Sequence, residues 1–98
     1  MPAVSLSNPF KVVYHELVIS DDLPKLSSEW KEKIRHAIEE RLMTHPDLYG
    51  KPLRRSLKGY RKLRVGDYRV IFRIEKNTVK IMIIQHRSVV YDRVAKRT

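Results

Sequence analysis

The chain has 98 residues, 21 Lys/Arg against 11 Asp/Glu, a formal net charge of +10 and no cysteine. That length holds one small domain without room for a second, and the missing thiols exclude a disulfide framework or thiolate metal site and fit a reducing compartment. The longest apolar run, Ile81-Met82-Ile83-Ile84, is far short of a membrane span, and the first nine residues lack the basic flank and apolar core of a secretory signal.

The β-branched and aromatic residues 10–14 predict a first strand. Ser20, Asp21 and Asp22 offer helix-start chemistry, with Pro24 keeping any helix there short or distorted. Trp30, Ile34, Ala37, Ile38, Arg41 and Leu42 recur at helical spacing, with Lys31, Lys33, Arg35, Glu39 and Glu40 off that face. They predict one long helix, N-capped by Ser28, with Glu29 at the positive end of its dipole and Pro46 stopping it at or before His45. Residues 47–59 read as a basic connector punctuated by Gly50, Pro52 and Gly59.

From Tyr60 the period changes to two. Residues 60–65 and 68–74 predict strands joined by a tight turn at Gly66-Asp67. In the second, Tyr68, Val70, Phe72 and Ile74 share one face, while Arg69, Ile71 and Arg73 share the other. Lys76-Asn77 turns into a strand over 79–86, with Val79, Ile81 and Ile83 toward the core, and the tail over 87–98 has room for a short helix. The expected architecture is α+β: a strand, a helical layer and an antiparallel three-stranded meander, one layer of helix on one sheet, in a single domain over residues 1–98.

The charge is lopsided. Residues 1–50 hold 6 Lys/Arg and 8 Asp/Glu, a net of −2, whereas residues 51–98 hold 15 and 3, a net of +12. Within 51–64, seven of fourteen residues are basic (Lys51, Arg54, Arg55, Lys58, Arg61, Lys62 and Arg64) and none is acidic. Clustered cations repel one another, so the pattern points to a polyanionic partner, with nucleic acid first because phosphate contacts release condensed counterions. Other chemistries fall away. His15-Glu16 has Ile19 where a zinc-protease helix needs its second histidine, the four histidines lack ligand spacing, and Glu39 and Glu40 point about 100° apart on a helix.

Two stretches carry a family resemblance. Lys51-Pro52-Leu53-Arg54 followed by Gly59-Tyr60-Arg61-Lys62-Leu63-Arg64-Val65-Gly66-Asp67-Tyr68-Arg69-Val70-Ile71-Phe72, and the ending His86-Arg87-Ser88-Val89-Val90-Tyr91, resemble the RelE/ParE toxin superfamily, its RelE branch in particular. The resemblance implies a RelE-like toxin fold and a type II toxin–antitoxin toxin in the cytoplasm, a metal-independent, cofactor-free endoribonuclease that cleaves messenger RNA in the ribosomal A site. It also implies an acidic RelB-like antitoxin as partner, with the toxin a monomer alone and a hetero-oligomer with antitoxin, and contacts to ribosomal RNA but no membrane. The family's catalytic basic position matches Lys62, the arginine of its Gly-x-Tyr-Arg run matches Arg69, and its C-terminal tyrosine matches Tyr91. Its further C-terminal arginine is matched by Arg87, with His86 also placed for that role. Where well-studied members carry a second lysine two residues before the position of Lys62, this chain has Tyr60.

RNA cleavage by a 2′-hydroxyl needs proton removal, stabilisation of an anionic phosphorane and help for the leaving 5′-oxygen. Lys62, Arg64, Arg69 and Arg87 are the expected phosphate clamp. A cationic field favours the ionised form of a phenol, which suits Tyr91 to the base role, with Arg87 or His86 assisting the leaving group. Arg54, Arg55, Lys58, Arg61 and Arg64 are the expected RNA-backbone contacts. The rival readings are a non-enzymatic ParE-like toxin that inhibits DNA gyrase and a degenerate member without toxicity.

Overall fold

Five strands form one sheet in the computed structural model, which describes residues 9–97. The first eight residues, part of the segment read for a secretory signal, and Thr98 lie outside them. The strands are β1 (Lys11–Tyr14), β2 (Lys51–Pro52), β3 (Arg61–Val65), β4 (Tyr68–Glu75) and β5 (Thr78–His86), in the spatial order β1-β5-β4-β3-β2. The expected meander is the centre of this sheet. It is extended on one side by β1, parallel to β5, and on the other by the two-residue β2, antiparallel to β3. Gly66 makes the β3–β4 turn at φ +59°, a conformation that favours glycine, and a Cβ there would lie 2.5 Å from the Trp30 indole.

Between β1 and β2 the chain is helical but irregular. A π-helical turn at Val18–Asp22 and a 3₁₀ turn at Leu23–Lys25 precede helix α1 (Ser28–Ala37), which widens into a second π-helical turn at Ile38–Leu42. A short α2 (Pro46–Tyr49) follows. Three expectations shift here. The cap is Ser27, whose Oγ accepts from the Trp30 N–H at 3.3 Å, not Ser28. The bond from Met43 N–H to the Ile38 carbonyl (3.1 Å) adds a residue to the turn, and Arg41 lies exposed rather than on the buried face. The helical turn also starts at Val18, ahead of Ser20, so Asp22 does not cap a helix. Its buried carboxylate instead accepts from Ile84 N–H (2.9 Å), Gln85 Nε2 (2.9 Å) and both Nη groups of Arg97 (2.8 and 3.2 Å).

The main core fills the space between the helical layer and one sheet face, with Val18, Ile34, Ile38, Leu42, Leu63, Val70, Phe72, Val79, Ile81 and Ile84 buried. The other face is not bare. The tail folds into α3 (Val90–Arg97), whose Val90 and Val94 pack on Ile71 and Ile83, with Leu53, Leu57 and Tyr60 alongside. There are thus two helical layers rather than one. Ile83 belongs to this second core, opposite Val79 and Ile81, because a bulge shifts the register from Ile71↔Ile83 to Phe72↔Ile81 and skips Met82. At the far end of the β4–β5 hairpin Glu75 accepts from Lys80 (2.9 Å) and Arg73 (2.6 Å), chiefly the Lys80 bond holding its carboxyl below the usual range. Among the described residues no helix is long and apolar enough to cross a membrane.

Removing the Asp22 carboxylate leaves Arg97 as an uncompensated charge, its side chain only 7% exposed. Asp22→Ala is expected to cost about 3–5 kcal/mol in urea unfolding, a large share of the stability of a domain this size. The exposed Lys33–Glu29 pair (3.3 Å) is the control, and Lys33→Ala there should shift the midpoint by under about 1 kcal/mol.

Candidate active site

Strand pairing decides which cations meet. Lys51 of β2 stands directly opposite Lys62 of β3, and Arg64 of β3 directly opposite Arg69 of β4. By the two-residue period Lys62 and Arg64 share a face, and directly paired residues point the same way, so all four cations project from one face, the one that carries α3. With Tyr49 they line a cavity of about 130 Å³ that has no carboxylate among its lining residues. Two like-charge pairs directly opposed across a sheet oppose pairing. Several cations elsewhere do have carboxylate partners: Lys25 with Asp21, Lys33 with Glu29, Arg35 with Glu32 and Glu39, Lys80 with Glu75. The cluster gathers four like charges around one small cavity.

Arg69 is its fixed member. It is 8% exposed, and its Nη1 donates to the carbonyls of Gly66 and Tyr68, both at 2.9 Å. Those bonds orient the guanidinium and leave Nε and Nη2 without a protein partner among the described residues. Tyr91 lies in the first turn of α3, 38% exposed, with the Lys62 ammonium 5.8 Å from its ring centroid. Lys62 therefore links the tyrosine to the cation cavity. Arg87 follows the last residue of β5 at the turn end of the sheet. Its N–H donates to the Asp67 carbonyl (2.8 Å), while its exposed guanidinium sits 3.7 Å from the Asp67 carboxylate, a weak surface pair.

Two sequence candidates lie elsewhere. His86 pairs with Tyr68 across the strands and packs edge-on to it at 5.8 Å, so it points to the face opposite Lys62. Its Nδ1 accepts from the Ser88 N–H (3.1 Å) and meets Ser88 Oγ at 2.8 Å, and it borders a separate cavity of about 220 Å³ with Ile84, Lys25 and Arg93. Arg61 also faces away from Lys62, donating to the carbonyls of Gly50 (2.9 Å) and Asp47 (3.4 Å); it braces the α2–β2 connection. Arg54, Arg55 and Lys58 are exposed on the loop before β3, which Leu53 and Leu57 pin to the second core on the α3 side. Tyr49 and Lys51 line the cavity too, and sequence reasoning did not place them there. Lys51 stood in the basic run, but a two-residue strand leaves no periodic signal, and nothing local marks Tyr49. Among the described residues no group of three or more His, Asp or Glu converges to hold a metal ion.

Relatives share this arrangement of chain. The family described as "ParE toxin of type II toxin-antitoxin system, parDE" matches residues 11–91. Toxin RelG of Mycobacterium tuberculosis is 44% identical over 54 residues, and Toxin RelE of the same organism 42% over 52. These matches cover 53% and 51% of this chain and 62% and 54% of those relatives, so the chain spans about half to three fifths of their length. The toxin–antitoxin complex RelBE2 of M. tuberculosis contains a chain 33% identical, with a TM-score of 0.75, covering 82% of this chain and 93% of that one. A RelB–RelE complex from Methanococcus jannaschii, at 20% identity and a TM-score of 0.64 over 83% and 96%, shares the fold. The chain belongs to the RelE/ParE toxin superfamily of type II toxin–antitoxin systems, on its RelE-like branch.

Proposed function

We propose that the protein is a cytoplasmic toxin that cleaves messenger RNA on the ribosome without a metal ion, through attack of a ribose 2′-hydroxyl on the adjacent phosphate. The observation that carries this reading is the acid-free cavity walled by Lys51, Lys62, Arg64 and Arg69 with Tyr91 at its margin. Tyr91 takes the 2′-hydroxyl proton as base. The free Nε and Nη2 edge of Arg69, with Lys62 and Arg64, stabilises the charge that builds on the phosphorane. The bond to the 5′-oxygen breaks and that oxygen takes a proton from water, leaving a 2′,3′-cyclic phosphate and a 5′-hydroxyl. Arg87 assists that leaving oxygen better than His86, because its surface pair with Asp67 is easily exchanged and His86 faces the other side of the sheet. Arg54, Arg55 and Lys58 hold the flanking RNA backbone or ribosomal RNA.

The partner proposed for the cell is an acidic RelB-like antitoxin that covers the cation face or lifts α3. The charge of +10 on this chain and the antitoxin-bound state of its structural relative support it. The matched family's description, a ParE toxin, keeps gyrase inhibition as the second reading. Wild-type protein that leaves messenger RNA intact on programmed ribosomes while inhibiting gyrase would establish that reading instead.

Tyr91→Phe keeps the ring over Lys62 and removes one hydroxyl; single-turnover cleavage on a programmed ribosome is expected to fall by about 10²-fold or more. Arg69→Ala should lower the same rate by about 10²–10³-fold. It also strips a donor from two turn carbonyls, so thermal unfolding of the variant must be recorded beside the rate. Full activity in both variants would dismantle the site. Replacing Arg54, Arg55 and Lys58 with glutamine should reduce the salt slope of RNA affinity by about 2, at roughly 0.7 per lost contact to a single strand. An unchanged slope would mean that this loop does not touch phosphate.

A further inference from the structure

Tyr91 is poorly held by its own surroundings. It is 38% exposed, and the ring or cation contact it makes among the described residues is with the Lys62 ammonium, 5.8 Å from the ring centroid. Its position follows from where α3 lies, and α3 has eight residues. A helix that short is marginal by itself, so its placement depends on its anchors. Val90 and Val94 are fully buried against Ile71 and Ile83, four residues apart on one stripe. Apolar contact along a single stripe is not directional and leaves the helix free to roll and slide. Arg97, three residues after Val94, extends the stripe with a bond that is directional. Its Nη1 donates to Asp22 Oδ2 (2.8 Å) and the Met82 carbonyl (3.0 Å), and its Nη2 to Asp22 Oδ1 (3.2 Å). Asp22 is in turn fixed on β5 by Ile84 N–H and Gln85 Nε2, and Gln85 stands directly opposite Arg69. One buried fork thus ties the end of α3 to the strand beside the anion site.

From this network we infer that Arg97, acting through Asp22, is the positioning residue for Tyr91. The inference deepens the proposed cleavage reaction and rests on it. On a helix of about 5–6 Å outer radius a roll of about 20° moves a side-chain tip by about 2 Å, and displacements near 1 Å cost about 10²-fold in rate. Lysine keeps the charge but not the fork, so it holds α3 less well.

The test combines two readouts on the full chain. One is single-turnover cleavage of a programmed ribosome, expressed per folded molecule. The other is ¹⁹F NMR of the free protein carrying 3-fluorotyrosine at its five tyrosines, the Tyr91 line being assigned by its loss in Tyr91→Phe. Arg97→Ala is expected to lower the maximal rate about 10–100-fold while the half-saturating ribosome concentration stays within about 3-fold. The Tyr91 line should shift or broaden while the other four hold, and Arg97→Lys should recover part of the rate. A purely structural role would instead lower the folded fraction and leave the rate per folded molecule unchanged. That result, or an undisturbed Tyr91 line, overturns the inference. Should Arg97→Ala not fold, Arg97→Lys and Asp22→Asn are read by the same two criteria. If wild type does not cleave at all, the nuclease reading fails, and with it any positioning for cleavage; the Tyr91 line then reports separately whether Arg97 holds the helix.

Discussion

The carboxylate of Asp22 closes this fold. β1 pairs with only the first part of β5, Thr78 to Ile81, so the outer edge of the rest of β5 would run bare past the helical layer. A backbone N–H in that position, shut away from water, needs an acceptor. Asp22 supplies it at Ile84, and a buried charge then needs a counterion, which Arg97 brings from the far end of the chain. With its side chain fully buried, Asp22 cannot be satisfied by solvent. Three segments distant in sequence are therefore locked by one group, each bond making the next necessary. Such a pair adds little over an apolar replacement of the same shape, yet losing one partner is severe. Its value lies in specifying where the pieces sit.

That constraint governs the second helical layer. The face of the sheet under α3 is divided: Ile71 and Ile83 form a small apolar patch, and beside it rise Lys62, Arg64 and Arg69. A helix docked on the patch alone covers few apolar side chains, and its neighbours repel one another. The opposed pairs Lys51/Lys62 and Arg64/Arg69 work against the β2–β3–β4 pairing that the main core supports from the other face. Stability made on one face of the sheet offsets electrostatic strain stored on the other. Helix α3 lies where these two demands meet.

Much of this was legible in the amino-acid order, for physical reasons. The change of period at Tyr60 marks the central strands, Gly66-Asp67 marks the turn between them, and the alternation in β4 sorts core from cation face correctly at Val70, Phe72, Arg69 and Ile71. What escaped depends on contacts between distant residues. The bulge that reverses Ile83 has no local signature, since Ile81 to Ile84 are all apolar and any parity fits them. Asp22 looks like a cap because Ser-Asp-Asp does so in isolation; its role is set by a strand edge some sixty residues away. Lys62, Arg64, Arg69 and Tyr91 were found by pattern and do gather. Arg61 and His86 sit one residue from true face members, and strand alternation sends them to the other side.

The size of the cation cavity narrows what it can take. At about 130 Å³ it is well below the roughly 300–1,000 Å³ typical of pockets that enclose a cofactor or metabolite. It accommodates a group of phosphate size and leaves any attached base and sugar outside. Two partly exposed rings stand at its margin, Tyr49 as part of the lining and Tyr91 beside Lys62. A free mononucleotide would gain few contacts from such a site, because most of its surface would stay in water. On the proposed reading a strand is different: its neighbouring phosphates would meet the exposed cations of the loop before β3, Arg54, Arg55 and Lys58, and every additional contact releases counterions. On that reading, a narrow cation-lined cavity with further exposed cations nearby favours a polymer backbone over a small anion.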